Sequence, residues 1–160
     1  PLFPFEELQI DLIGPWKIKT GNTEIVFKVL TMIDPATNLI EIVRIDNKSS
    51  EIVKQAFTNN WLARYPWPWK VIHDNSGEFM SHKFLDLLRQ LGIVSHPTTV
   101  KNPQANGIVE RSHKTITDML RVMLHITPPQ NIINTNKIVD NCLASCMHSM
   151  RCAYNHMMQT

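Results

Sequence analysis

Three acidic residues fall where an acid needs an explanation. Asp11 sits mid-strand in an apolar alternation, between Ile10 and Leu12. A carboxylate there loses hydration unless a partner or a metal compensates it. Asp74 follows the short run Val71-Ile72-His73 and starts a stretch of turn formers, Asn75, Ser76 and Gly77. Carboxylates at strand ends open into the clefts of α/β sheets. Glu110 opens a segment with a helical apolar stripe. Each acid alone has a plain structural reading: an exposed strand-face Asp, a turn-forming Asp, and a first-turn Glu complementing a helix dipole. Their spacing alone is weak evidence, so the elements that carry them matter.

Glu7 to Ile13 alternates Leu8, Ile10 and Leu12 on one side, which predicts a strand ended by Gly14-Pro15. Ile25 to Ile33 and Leu39 to Ile45 read as two more strands, turned at Asp34-Pro35, with Glu41 and Arg44 as polar interruptions of the third. Short turns between them suggest an antiparallel meander. Ser49 or Ser50 can cap a helix running to about Arg64, with Val53, Phe57 and Trp61 at helical spacing and Pro66 and Pro68 beyond it. Lys70 to His73 is a short strand. Ser81 can cap a helix with Phe84, Leu87, Leu88 and Leu91 on one face and Gly92 at its end. Ile93 to His96 is another strand. Thr98 to Gly107 is polar and carries Pro103, so it reads as a loop. A helix is expected from about Ile108 to His125 and a last one from Thr135 to about Arg151, parted by Pro128-Pro129. Strands first, then strands alternating with helices, give an α/β layered domain with a mixed sheet.

The words around the acids are more specific than the acids. Ile10-Asp11-Leu12-Ile13-Gly14-Pro15 surrounds the first, and His73-Asp74-Asn75-Ser76-Gly77-Glu78-Phe79 the second. Asn102-Pro103-Gln104-Ala105-Asn106-Gly107-Ile108-Val109-Glu110-Arg111 leads into the third. In this order and spacing they resemble the integrase catalytic cores of retroviruses and gypsy-type LTR retrotransposons, from about Phe5 to Tyr154. The resemblance implies a ribonuclease H-like fold, whose element order this chain matches: a mixed five-stranded sheet with helices on both faces, in a single domain over 1–160. It implies a polynucleotidyl transferase that carries out metal-dependent 3′ end processing and strand transfer of retroelement DNA into target DNA. It implies that Asp11, Asp74 and Glu110 are catalytic and hold two Mg²⁺ or Mn²⁺ ions. Hard cations do prefer carboxylate oxygen, and three acids converging without metal would repel, raising at least one pKa. Lys114, four residues after Glu110 on the same helix face, stands where related integrases contact element DNA; its plain alternative is an ion pair with Glu110. Asn106 and Gln104 stand in the expected DNA-contacting loop, and Gly107 would let that loop move. Asn75 is expected to order the turn behind Asp74, and His113 to lie on the surface. Retroelement DNA ends and target DNA are the expected partners, in a homodimer or higher multimer. Function is expected in the nucleus, after a cytoplasmic particle stage.

The chain departs from the family at Ser76, where Gly is common. Nothing in these 160 residues matches the His/Cys zinc module that precedes the core in this family, or the basic small-barrel or chromodomain-like segment that follows it. Both ends read as cuts within a longer polyprotein, so a fragment or a domesticated remnant is expected. A formal net charge of only +2 gives no indication of nucleic acid by itself, and no apolar run approaches a membrane span. Cys142, Cys146 and Cys152, an odd number close together, make a poor disulfide framework and fit a reducing compartment. With His148 and His156 they resemble a metal cluster. Their spacing misses the usual zinc patterns, and Cys142 and Cys146 continue an apolar stripe with Leu143, Met147 and Met150, so packing is the expectation. Trp61, Trp67 and Trp69 flank prolines and read as core or rim packing, or a dimer surface. A ribonuclease H-type nuclease and a non-enzymatic binding protein on the same fold stay open as alternatives; the third word speaks against the first, and three intact acids against the second.

Overall fold

A computed structural model describes residues 3–47 and 49–159, and from 153 onward only the helix backbone. Strand β1 (Glu7–Thr20), β2 (Thr23–Ile33) and β3 (Ile40–Ile45) form the meander. They are followed by α1 (Ser50–Phe57), which runs on as a π-helical turn to Leu62, then β4 (Lys70–His73), α2 (Gly77–Met80), α3 (His82–Gln90), β5 (Val94–Pro97), α4 (Pro103–Ile126) and α5 (Ile132–Gln159). The sheet order is β3-β2-β1-β4-β5. β1, β2 and β3 pair antiparallel, whereas β4 pairs parallel with β1 and β5 parallel with β4. This is the expected five-stranded mixed sheet.

Strand alternation sends successive side chains to opposite faces, and each face has its own core. Leu8, Ile10, Leu30 and Met32 pack with Val53, Phe57, Trp61, Phe79, Phe84 and Leu88 from α1, its π turn, α2 and α3. Phe27, Val29, Ile33 and Ile42 pack with Ala105, Val109, Ile116, Val139, Cys142 and Cys146 from α4 and α5. The parity that turns Leu8 and Ile10 toward the first core sends Gln9 and Asp11 to the second face, under α4.

The last helix, α5, outruns its predicted limits of Thr135 and Arg151 at both ends, and two further elements depart from theirs for reasons the structure shows. β1 does not stop at Gly14-Pro15. Its register with β2 slips between Ile13 and Trp16 and pairing resumes as far as Thr20. Pro has no N–H to give a ladder, and a bulge is where a strand tolerates that. Gly14 has φ 105, and a Cβ on it would stand 2.9 Å from the Trp16 ring, so glycine is needed there. α4 starts at Pro103, well before Ile108, because the Asn102 side chain accepts hydrogen bonds from Gln104 N (2.9 Å) and Ala105 N (3.1 Å), with Pro103 in the first turn. That is an N-cap followed by the one helix position that suits proline. Gln104, Asn106 and Gly107 are therefore helical, not loop, and Glu110 lies in the helix interior rather than its first turn. The short α2 is an addition to the predicted elements. The Ser49 and Ser81 caps form as expected, donated to by Ile52 N and Phe84 N.

The polar interruption at Glu41 is a buried ionic knot. Its carboxylate is 1% exposed and accepts from Arg64 Nη1 (3.2 Å), Tyr65 Oη (2.5 Å) and Arg151 Nη2 (2.6 Å). Burial, with the Glu41 hydrogen bond and charge added, pushes the Tyr65 phenol up to about 12. Arg44 makes a second link from β3 to α5, donating to Asp140 and Asn136. Cys142 and Cys146 are fully buried, and burial pushes both thiols up to about 11. They pack as small apolar groups, whereas Cys152 is exposed beside His148; His156 lies outside the described side chains. Trp61 is core, and Trp67 and Trp69 are exposed on the rim.

Two stability measurements follow. Glu41→Gln should cost about 2–4 kcal/mol in urea unfolding, because a buried charge with three donors is removed from the joint between β3, the π turn and α5. A loss under about 0.5 kcal/mol would mean these contacts behave as surface pairs. Gly107→Ala should stabilise by about 0.5–1 kcal/mol, since the glycine is mid-helix and nothing lies within 4 Å of an added Cβ. Destabilisation would contradict the helical assignment.

Candidate active site

Parallel pairing of β1 with β4 brings the first two acids together. Gln9 is registered with Ile72; Asp11 lies two residues further along β1, and Asp74 two residues past Ile72, just beyond the end of β4. They leave neighbouring strands at the same level, where β4 has just ended and the sheet opens. Neighbouring strands are about 4.8 Å apart.

Asp11 is 4% exposed. Gln9 Nε2 donates to its Oδ2 (3.2 Å), and the Lys101 ammonium is bonded to its Oδ1. Lys101 comes from the stretch joining β5 to α4. Asp74 is half-buried and its Oδ1 accepts from Ser76 N (2.9 Å). Burial by itself would raise the Asp74 pKa. The Ser76 hydrogen bonds, with the charge of Lys101 added, outweigh it, so the carboxyl is held below its usual value. The turn contact expected from Asn75 is thus made by Ser76, and Asn75 is exposed.

His73 fixes the backbone at this point. It is fully buried, and burial lowers its pKa, keeping the ring neutral at pH 7. Nδ1 lies 2.7 Å from the Asp74 carbonyl and Nε2 lies 2.6 Å from Ser95 Oγ. A carbonyl only accepts, so Nδ1 carries the proton and Nε2 takes the Ser95 hydroxyl. Phe79 closes the segment: it is fully buried, with its ring 5.6 Å from both His73 and Phe84. The second sequence word is therefore a carboxylate followed by its own anchor.

Glu110 is exposed on α4, and Asn106, one turn earlier, donates to its Oε1 at 3.4 Å. Val109 and Ile108 beside it are buried in the second core, which fixes the helix face that presents the acid. Trp16 ties α4 to β1. Its Nε1 donates to Thr117 Oγ1 (3.1 Å), and its ring sits 5.4 Å from Phe27 and 4.9 Å from His113. His113 is exposed, as expected, but with one side against Trp16. Lys114 and Gln104 are exposed. Lys114 makes no ion pair with Glu110 among the described residues.

Asp11 and Asp74 are thus brought together, whereas Glu110 remains on the rim. Among the described residues no three Asp, Glu, His or Cys side chains are grouped closely enough to hold a metal ion as they stand. What the arrangement offers is two hard oxygen donors, a third on an adjacent helix, and one cation already seated on the first. Lys101, His73, Gln9 and Trp16 were not legible as site residues. Lys101 stands next to the third word, but nothing in its spacing points to Asp11.

No family model matches the chain. Over 122 residues, 76% of its length, it is 30% identical to the retrovirus-related Pol polyprotein from transposon 412 of Drosophila melanogaster. The chain spans about a tenth of the length of the curated relatives it matches. The HTLV-2 integrase catalytic core domain, solved in complex with magnesium in a trimeric form, superposes with a TM-score of 0.64 at 18% identity, covering 91% of this chain and 84% of that one. A chain of the simian T-cell lymphotropic virus intasome superposes with a TM-score of 0.67 at 19% identity, covering 92% of this chain and 48% of that one. The sequence kinship is to retrovirus-related Pol polyproteins, and the fold is that of retroviral integrase catalytic cores, the ribonuclease H-like fold.

Proposed function

We propose that this chain cuts and joins DNA strands: 3′ end processing and strand transfer of retroelement DNA, with Asp11, Asp74 and Glu110 as the catalytic carboxylates. The observation that carries this reading is the level placement of Asp11 and Asp74 on β1 and β4, with a buried carboxylate already paired to a cation. The donor set fits Mg²⁺ or Mn²⁺, which take oxygen ligands. Asp11 is backed by the neutral amide of Gln9 rather than clamped by arginine, and Asp74 keeps an oxygen free beyond its Ser76 bond. Two such ions, when bound, would activate the attacking oxygen and stabilise the leaving one of a phosphodiester.

The chain's own residues do the positioning. His73 and Phe79 fix the backbone at Asp74, and Ser76 keeps that carboxylate ionised. Trp16 sets α4 against β1, so that Glu110 turns toward the acids by a side-chain movement and not by moving the helix. Asn106 holds Glu110 meanwhile. The exposed Lys114 lies one turn past Glu110, where its ammonium can meet a phosphate of the DNA held at the site. Gln104, Asn106 and Asn75 form the polar rim beside it, and Gly107 leaves the helix surface open to a backbone. The DNA partners are the element's ends and the target duplex, engaged by a multimer of the chain in the nucleus. No helix among the described residues is long and apolar enough to cross a membrane.

Two experiments test this reading. With Mn²⁺ or Mg²⁺ and a preassembled branched oligonucleotide, which supplies its own alignment, the protein should reverse strand transfer. Asp11→Asn, Asp74→Asn and Glu110→Gln should each lower the rate by at least about 100-fold, while circular dichroism and melting stay close to wild type. Full activity in a folded Asp11 or Asp74 variant would refute the role of that acid. Lys114→Ala should reduce the slope of log binding constant against log salt by about one unit on DNA. An unchanged slope would remove Lys114 from the DNA surface.

A further inference from the structure

The Lys101 ammonium reaches Asp11 Oδ1 across ninety residues of chain, and the fold delivers it there. Lys101 belongs to a short tether pinned at both ends. Thr98 N donates to the His73 carbonyl at 2.8 Å, and Asn102 is the cap of α4. Between them Val100 N donates to Thr98 Oγ1 at 2.9 Å. The Lys101 side chain is 25% exposed and that of Asp11 5% exposed, so one end of the pair is closed from water. The same positive charge helps to hold the Asp74 carboxyl in its ionised form. One lysine thus brings positive charge to both acids.

An ammonium has three donors and no acceptor. While it occupies Oδ1 it satisfies the carboxylate electrostatically and repels any second cation from that oxygen. A lysine is also long and flexible, so its ammonium can withdraw by side-chain rotation alone. We propose that Lys101 is the resident counter-cation of the acidic site: it holds Asp11 in the metal-free protein and must leave Oδ1 before a divalent ion binds, and so sets the affinity for that ion. This rests on the metal-site reading of Asp11.

Calorimetric titration with Mn²⁺, without DNA, tests it on the wild type, Lys101→Met and Asp11→Asn. The methionine keeps most of the side-chain length and removes the charge. Lys101→Met should bind Mn²⁺ about five- to tenfold tighter than wild type, the size expected for removing one partly buried charge-assisted competitor. Asp11→Asn should bind far more weakly than either. Equal or weaker binding by Lys101→Met, with Asp11-dependent binding kept in the wild type, would overturn the role of Lys101 and leave the metal site standing. No Asp11-dependent binding in either protein would overturn both. Reductive methylation of the wild type gives a readout independent of any variant's folding. Lys101 should react slowly without metal and several-fold faster with saturating Mn²⁺, while the exposed Lys83 does not change. A Lys101 rate that Mn²⁺ leaves unchanged or lowers would also overturn the proposal.

Discussion

Two carboxylates on adjacent strands repel each other, and a pleated sheet gives them little room to separate. The parallel pairing of β1 and β4 imposes this on Asp11 and Asp74, because pairing through Gln9 and Ile72 carries both acids to the same level. Such a pair is stabilised when something positive or hydrogen-bonding meets it. Much of the surrounding structure supplies that. Lys101 and Gln9 meet Asp11, while Ser76 and the charge of Lys101 meet Asp74. The arrangement concentrates negative potential and keeps it exchangeable, since neither acid is locked into an arginine fork.

Exchangeability is what separates this pair from Glu41. That carboxylate is as buried as Asp11, but it is closed in by two arginines and a tyrosine from two segments. Its donors bridge β3 to the segment after the π turn and to α5, so opening the knot would break contacts between elements. A carboxylate thus serves as a joint at one place in the sheet and as a candidate ligand at another. The difference lies in the partners: guanidinium groups that bridge elements against one flexible ammonium and one neutral amide.

The framework was legible because it rests on period and punctuation. The alternation of Leu8, Ile10 and Leu12 gave the strand that carries Asp11, and Ser49 and Ser81 gave helix starts at their places. The three sequence words singled out the acids before any geometry. Misreadings came where a local signal was outvoted by tertiary context. Gly14-Pro15 looked like a strand end, but a bulge against β2 absorbs it. Pro103 and Gly107 looked like loop residues, although Asn102 caps a helix that contains both. Glu41 reads only as a polar interruption, since no local pattern reveals that Arg64, Tyr65 and Arg151 will converge on it. Lys101 was invisible for the same reason: a pairing over ninety residues leaves no trace in composition or spacing.

The central claim is that Asp11 and Asp74 form a divalent-cation site on which the chain's chemistry depends. Anomalous diffraction from crystals soaked in Mn²⁺ tests it most directly. The account predicts a Mn²⁺ peak in contact with the carboxylates of both Asp11 and Asp74, absent from crystals of the Asp11→Asn variant. Well-ordered carboxylates with no peak between them, or Mn²⁺ bound only elsewhere on the surface, would contradict it.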